Sequence, residues 1–90
     1  MIAASCPRLR RGVRLGYDEV RARHVMLYPE GVLVLNETAA EVVRRCDGTA
    51  TVGEITVALR NHYRGVRDAD VLDVLGRLAD RRMIEVDHAG

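Results

Sequence analysis

Apolar positions near the start of the chain follow strand periods, and those further along follow a helical period. Residues 20–28 alternate and then become continuously apolar, and residues 32–35 are apolar at every position. Both runs are typical of β-strands. Between them, Tyr28-Pro29-Glu30-Gly31 has the residues of a tight turn, since Pro presets φ and Gly accepts a positive one. The pattern predicts a β-hairpin, and residues 13–15 predict a further short strand before a turn at residues 16–18.

Two helices are predicted after the hairpin. Asn36 suits the N-cap of the first, which is expected to span residues 37–46. Thr51 and Glu54 have the spacing of a capping box and predict the start of the second helix, whose apolar stripe ends near Gly65.

A third helix and a last strand complete the predicted order. Asp68 or Asp70 can cap this helix, and residues 83–87 alternate as a strand. The fold class that follows is α+β and winged helix-turn-helix-like, with an N-terminal three-stranded antiparallel sheet, a three-helix bundle and a short C-terminal strand. Residues 1–12 show no apolar period and are expected to form a flexible arm, which leaves residues 13–87 as one domain.

Charge and cysteine content narrow the class of protein. Fourteen basic against 13 acidic residues give a net charge of +1, which selects no polyanionic partner for the chain as a whole. Cys6 and Cys46 are far apart, in neither a metal-binding nor a redox spacing, so a reducing, cytoplasmic setting is expected. Neither a targeting segment nor an apolar run of membrane-spanning length is evident, which predicts no membrane partner.

The sequence predicts no catalytic arrangement of side chains. Ser5 and Cys6 lie in the expected arm, and Cys46 falls on the apolar stripe of the first helix, where a core position is expected. The three histidines are scattered without metal-ligand spacing, and no glycine-rich phosphate loop is evident. We therefore expect a binding protein without metal or cofactor, and not an enzyme.

The apolar run at residues 32–35 is the feature that points to binding. Such a run is expected of a strand covered on both faces, but 90 residues leave little chain to cover a second face. The open face or edge would then take a peptide strand, or a second copy of the chain in a homodimer. A strand simply wrapped by the arm and the helices fits the pattern equally well.

DNA binding is the other functional alternative, because helix-turn-helix domains place the second helix of the pair in the major groove. The predicted third helix carries carboxylates among its arginines, at Asp70, Asp73 and Asp80. A phosphate backbone would meet negative charge along this surface. We therefore rank a winged-helix DNA-binding protein second and expect no nucleic-acid partner.

Three stretches of the sequence resemble the PqqD family of pyrroloquinoline quinone biosynthesis proteins. They are His24-Val25-Met26-Leu27-Tyr28-Pro29-Glu30-Gly31, Leu35-Asn36-Glu37-Thr38-Ala39-Ala40 and Cys46-Asp47-Gly48. Met83 departs from the pattern, since an aromatic residue is expected there. The resemblance implies a peptide chaperone that binds the ribosomally made precursor PqqA. It would present PqqA to the radical S-adenosylmethionine enzyme PqqE and perform no chemistry itself.

The resemblance also implies where the peptide binds. Related precursor-recognition domains take their leader peptide as an added strand beside the third strand, in a groove completed by the third helix. By position, the expected peptide-binding residues are Val32, Leu33, Val34, Leu35, Asp70, Val71, Val74, Leu75 and Leu78. Some of them must belong to the core, because alternate strand residues face opposite sides and an apolar helical stripe is commonly buried.

Overall fold

The computed structural model describes residues 1–88, and the observed elements confirm an α+β fold. The strands are β1 (Ser5–Leu9), β2 (Arg14–Asp18), β3 (Arg23–Tyr28), β4 (Gly31–Val34) and β5 (Ile84–His88). The helices are α1 (Glu37–Arg44), α2 (Val52–Arg60) and α3 (Asp68–Asp80). The strands pair antiparallel in two sheets, one of order β1-β5 and one of order β2-β3-β4.

The predicted hairpin is present as β3 and β4. Tyr28 pairs with Gly31, so Pro29 and Glu30 form a two-residue turn. β2 pairs with the other side of β3, which gives the expected three-stranded antiparallel sheet. β2 and β4 are the edge strands of this sheet.

The turn expected at residues 16–18 is wrong, because these residues lie inside β2. Gly16 lies opposite Val25 in the ladder. A Cβ atom at Gly16 would come within 3.0 Å of Leu27 Cδ1, so the glycine makes room for a neighbouring side chain and does not bend the chain. The turn follows β2, where the Asp18 carboxylate accepts two backbone N–H groups at 3.0 and 3.2 Å.

The flexible arm expected over residues 1–12 is wrong for Ser5–Leu9, which forms β1 and pairs with β5. The first three residues of β1 are buried. The Gly48 N–H donates to the Pro7 carbonyl at 3.0 Å, which also joins β1 to the loop after α1. The periodicity missed this strand because it contains a proline and because its partner lies at the other end of the chain.

The helices begin close to the caps that the sequence predicted. Asn36 Oδ1 accepts a backbone N–H of the first turn of α1 at 2.7 Å. Thr51 and Glu54 form the reciprocal capping box of α2, with bonds of 3.1 and 2.9 Å. The expectation that Asp68 or Asp70 caps α3 is wrong, because the N-cap residue is Arg67, whose N–H donates to Asp70 Oδ2 at 2.9 Å. Asp70 therefore stabilises this end from inside the first turn.

The core lies between the inner face of the three-stranded sheet and the three helices. Met26 is fully buried at this face. Cys46 is a core residue, as predicted, and Met83 is also buried in the same cluster, at the position where an aromatic residue was expected. Among the described residues, α1, α2 and α3 are each too short or too polar to cross a lipid bilayer.

Candidate functional site

β4 is an edge strand whose free side carries unpaired backbone groups. The Leu35 N–H donates to the His24 carbonyl at 2.9 Å, and the register places these two residues opposite each other. In an antiparallel ladder, such hydrogen-bonded pairs alternate with pairs that exchange no hydrogen bonds. Leu33 is therefore bonded to β3, whereas the N–H and C=O groups of Val32 and Val34 point away from it. Among residues 1–88, no further strand pairs with this side of β4.

The side chains of β4 and of the residue after it alternate between core and surface. Leu35 is buried and Leu33 is half-buried on the inner face, whereas Val32 and Val34 are 52% and 42% exposed on the outer face. The alternative of a strand wrapped by the arm and the helices is therefore wrong. The outer face of β4 is open.

Apolar side chains lie beside Val32 and Val34 on the neighbouring strand. Val34 lies opposite Val25, and Val32 lies opposite Leu27. Cross-strand pairs share a face, so these four side chains lie together on the side away from the helices. The free edge of β4 is thus bordered by an apolar surface.

The predicted residues of α3 divide into core and surface. Val71, Leu75 and Leu78 are buried and belong to the core cluster. Val74 is half-buried and Asp70 is exposed. Val74 and Asp70 therefore offer side-chain atoms to a ligand, whereas Leu75 and Leu78 do not.

A groove of about 420 Å³ lies between α3 and the N-terminal end of α1. It is named the α3 groove and is lined by Asn36, Val42, Tyr63, Asp70, Val71 and Val74. Its floor is apolar, because Val42 and Val71 are buried. Its rim is polar, and Asn36 connects it to the end of β4.

A second depression lies away from the α3 groove, where β4 begins and α3 ends. It is named the tip cleft and is lined by Arg10, Arg11, Tyr28, Glu30, Arg81 and Arg82. Glu30 belongs to the turn directly before β4, and Arg81 and Arg82 directly follow α3. β4 and α3 therefore run in opposite directions, each extending from the tip cleft at one end to the α3 groove at the other.

A third cavity, of about 620 Å³, shares Asn36 with the α3 groove. Tyr17 and His24 line it in an edge-to-face contact, with ring centroids 5.0 Å apart. Arg45 donates to the Glu41 carboxylate at 2.7 Å, and this bond holds the pKa of Glu41 below its ordinary value. Of the residues that line this cavity, the sequence prediction included Leu35 alone as a site residue, because the cavity joins β2, β3 and α1, which no local pattern links.

The cysteine of the apolar stripe is chemically inert. Burial raises the pKa of the Cys46 thiol to about 12, and its Sγ donates to the Val42 carbonyl at 3.2 Å. Such a thiol is protonated near neutral pH and is a poor nucleophile. Among the side chains of residues 1–86, no three His, Cys, Asp or Glu groups are close enough together to hold a metal ion.

Known proteins with similar sequences share one biosynthetic family. The family described as Coenzyme PQQ synthesis protein D (PqqD) matches residues 23–84. The chain is 40% identical over 83 residues to the PqqA binding protein of Stutzerimonas stutzeri, and the match covers 89% of each. It is also 43% identical over 82 residues to the bifunctional coenzyme PQQ synthesis protein C/D of Methylorubrum extorquens. That match covers 88% of this chain but only 22% of the larger protein.

A solved structure agrees with these sequence matches. It is the solution NMR structure of the PqqD truncation of Methylobacterium extorquens PqqCD, a functional and stand-alone recognition element for ribosomally synthesized and post-translationally modified peptides. Its TM-score with this chain is 0.75 at 43% sequence identity, over 88% of this chain and 87% of that one. The fold, the sequence matches and the family match agree: the chain belongs to the PqqD family.

Proposed function

We propose that this chain binds the precursor peptide PqqA as an added β-strand along the free edge of β4. The observation that carries the proposal is the outward direction of the backbone groups of Val32 and Val34. An extended peptide would satisfy these groups with its own backbone, and its side chains would provide specificity. The identity of the peptide is supported by the name PqqA binding protein, which a relative 40% identical to this chain carries.

The α3 groove and the tip cleft support the same location. Each adjoins one end of β4, so a strand added to β4 would extend from one to the other. Successive side chains of that strand would point to opposite faces. One set would face α3 and its groove, and the other would extend the apolar outer face beside Val32 and Val34.

The predicted site residues would take different parts in binding. Val32 and Val34 would bond to the peptide backbone, and Asp70 and Val74 would contact peptide side chains from the α3 groove. The other predicted positions would hold β4 on β3 or hold α3 on the core, and these are Leu33, Leu35, Val71, Leu75 and Leu78.

We propose further that this chain presents bound PqqA to the radical S-adenosylmethionine enzyme PqqE and performs no chemistry itself. Strand addition supports such a role, because it holds a peptide extended and leaves its flanking residues accessible to a second protein. The setting that we propose is the cytoplasm, where a ribosomally made peptide is first available. We also propose that the fold is winged helix-turn-helix-like, because a turn at Gly65 joins α2 to α3.

Self-association would use the same edge as the peptide. Two copies of the chain joined through their β4 strands would form a homodimer whose interface PqqA must displace. Light scattering measures this competition, because PqqA should convert any such dimer into a monomeric complex.

Titration calorimetry of the purified chain tests the proposed function. Synthetic PqqA should bind saturably, with a dissociation constant in the micromolar range or below. Duplex DNA at a low and at a physiological salt concentration should give no saturable heat. Absence of PqqA binding, together with DNA binding that weakens steeply with salt, would instead favour a winged-helix DNA-binding protein.

A further inference from the structure

The tip cleft contains an arginine in a backbone conformation that usually selects glycine. α3 ends in a Schellman motif, in which the Arg82 N–H donates to the Ala79 carbonyl at 2.9 Å. The Met83 N–H completes the motif by donating to the Leu78 carbonyl at 3.0 Å. Arg82 occupies its left-handed position, with φ of 59°. An L side chain is disfavoured there, so the presence of Arg82 suggests a use for its guanidinium group.

Positive charge is concentrated around Arg82. Arg10, Arg11 and Arg81 also line the cleft, whereas Glu30 is the one carboxylate among its lining residues. Arg10 lies 3.8 Å from a carboxylate oxygen of Glu85, at the outer limit of an ion pair. Among the side chains of residues 1–86, no ion pair involves Arg11, Arg81 or Arg82. The cleft therefore presents guanidinium groups that the chain itself leaves unneutralised.

The cleft adjoins the turn that directly precedes β4, at one end of the proposed peptide path. Tyr28 and Glu30 form one wall, and β4 begins at the next residue, Gly31. A strand paired along β4 would leave the sheet beside Gly31 and enter the space between the hairpin and the loop after α3. The residues of the peptide that flank the paired segment would then meet Arg81 and Arg82.

We infer that the tip cleft is a second subsite for the precursor peptide, which takes carboxylate side chains from the residues beside the strand-paired segment. This inference rests on the proposed function. The planar guanidinium group matches a carboxylate with two parallel hydrogen bonds, so several arginines in one cleft select acidic side chains. A nucleic-acid strand fits less well, because Glu30, Asp80 and Glu85 lie within or beside the cleft and would repel an extended row of phosphates.

Two peptides, two double variants and one single variant test the inference by titration calorimetry. The peptides are PqqA and a PqqA in which every Asp and Glu is replaced by Asn or Gln. The cleft variant is Arg81→Gln/Arg82→Gly, in which the glycine suits the left-handed position, and Arg11→Gln provides an independent cleft variant. The control is Arg21→Gln/Arg44→Gln, which removes the same charge from exposed positions outside the cleft.

The cleft double variant should bind PqqA about fivefold more weakly than the wild-type chain, which corresponds to about 1 kcal/mol. Arg11→Gln should also weaken PqqA binding. The dissociation constant of the control variant for PqqA should stay within about twofold of wild type. The neutralised peptide should bind the wild-type chain and the cleft variants equally. Equal loss of affinity for both peptides, or no loss in either cleft variant, would overturn the carboxylate subsite while leaving strand addition in place. Failure of the wild-type chain to bind either peptide would overturn the proposed function itself.

Discussion

The backbone N–H of Leu35 donates to the carbonyl oxygen of His24 at 2.9 Å. This bond fixes the phase of the β3–β4 ladder, because bonded and non-bonded pairs alternate along antiparallel strands. With the opposite phase, Val32 and Val34 would be bonded to β3. In the observed phase, the β4 residues with the most exposed side chains also direct their backbone groups toward the free edge.

Replacing Val34 by proline should weaken PqqA binding by roughly tenfold or more. Proline removes the N–H that we assign to the peptide, and its ring fills the place of that donor. The β3 ladder does not use this N–H, so the variant should remain folded. Titration calorimetry measures the affinity, and circular dichroism verifies the fold.

Val34→Ala is the matched control for this variant. It shortens the same side chain but keeps the N–H, so its dissociation constant should stay within about threefold of wild type. Wild-type affinity in a folded Val34→Pro protein would show that the peptide does not pair at this position.

Deleting residues 1–9 should lower the free energy of unfolding by roughly 2–4 kcal/mol, because the deletion removes β1 and exposes the edge and side chains that it covers. Ile84, which pairs with Leu9 and is buried, would gain contact with water. Urea unfolding measures the loss. Deletion of residues 1–2 alone, which are exposed, is the control and should cost less than about 1 kcal/mol. A deletion of residues 1–9 without effect would mean that β1 contributes nothing to stability.

Alanine substitutions at the neighbours Val74 and Leu75 should have different effects on PqqA affinity and on the free energy of unfolding. Leu75→Ala removes a fully buried side chain and should cost about 2–5 kcal/mol of unfolding free energy, with little change in PqqA affinity while the protein is folded. Val74→Ala shortens a half-buried side chain of the α3 groove and should cost only about 1 kcal/mol, but it should weaken PqqA binding. The reverse result would place the peptide contact elsewhere on α3.

The Glu41 carboxylate should make stability depend on acid pH. Its bonds from Arg45 and Arg44 lower its pKa in the folded state below the ordinary value of 4.5. Its contribution is therefore fully present above pH 4.5 and is lost as the pH falls through the lowered pKa. Urea unfolding at pH 7 should show Glu41→Gln to be less stable than wild type, and the difference should shrink as the pH is lowered below 4.5. Glu19→Gln, at an exposed turn position, is the control and should change the free energy of unfolding at pH 7 by less than about 0.5 kcal/mol.

The sequence predicted the parts of the fold that depend on local signals. The turn at Pro29 and Glu30, the cap at Asn36 and the capping box at Thr51 each involve residues a few positions apart, and all three are confirmed. Local reasoning was wrong at Gly16, because a glycine that makes room for Leu27 across the sheet has the same local appearance as a turn glycine. It was wrong again at β1, because the strand is stabilised by pairing with β5 at the far end of the chain.

The candidate site was predictable to a similar extent. The run of apolar residues located β4, and helical spacing located α3. Neither pattern predicts that the backbone groups of Val32 and Val34 point away from β3. That direction depends on the phase of the hydrogen-bond ladder, which is a property of the pair of strands. Likewise, the separation of Val74 from Leu75 depends on how α3 rotates against the core, and the arginines of the tip cleft come from two loops far apart in sequence.

Amide hydrogen exchange, measured by NMR with and without PqqA, tests strand addition at β4 most directly. In the free protein, the N–H groups of Val32 and Val34 should exchange quickly, whereas those of Leu33 and Leu35 are bonded to β3 and should exchange slowly. Saturating PqqA should slow exchange at Val32 and Val34 by about tenfold or more and leave Leu33 and Leu35 slow. Unchanged rates at Val32 and Val34 in the presence of bound PqqA would contradict the account.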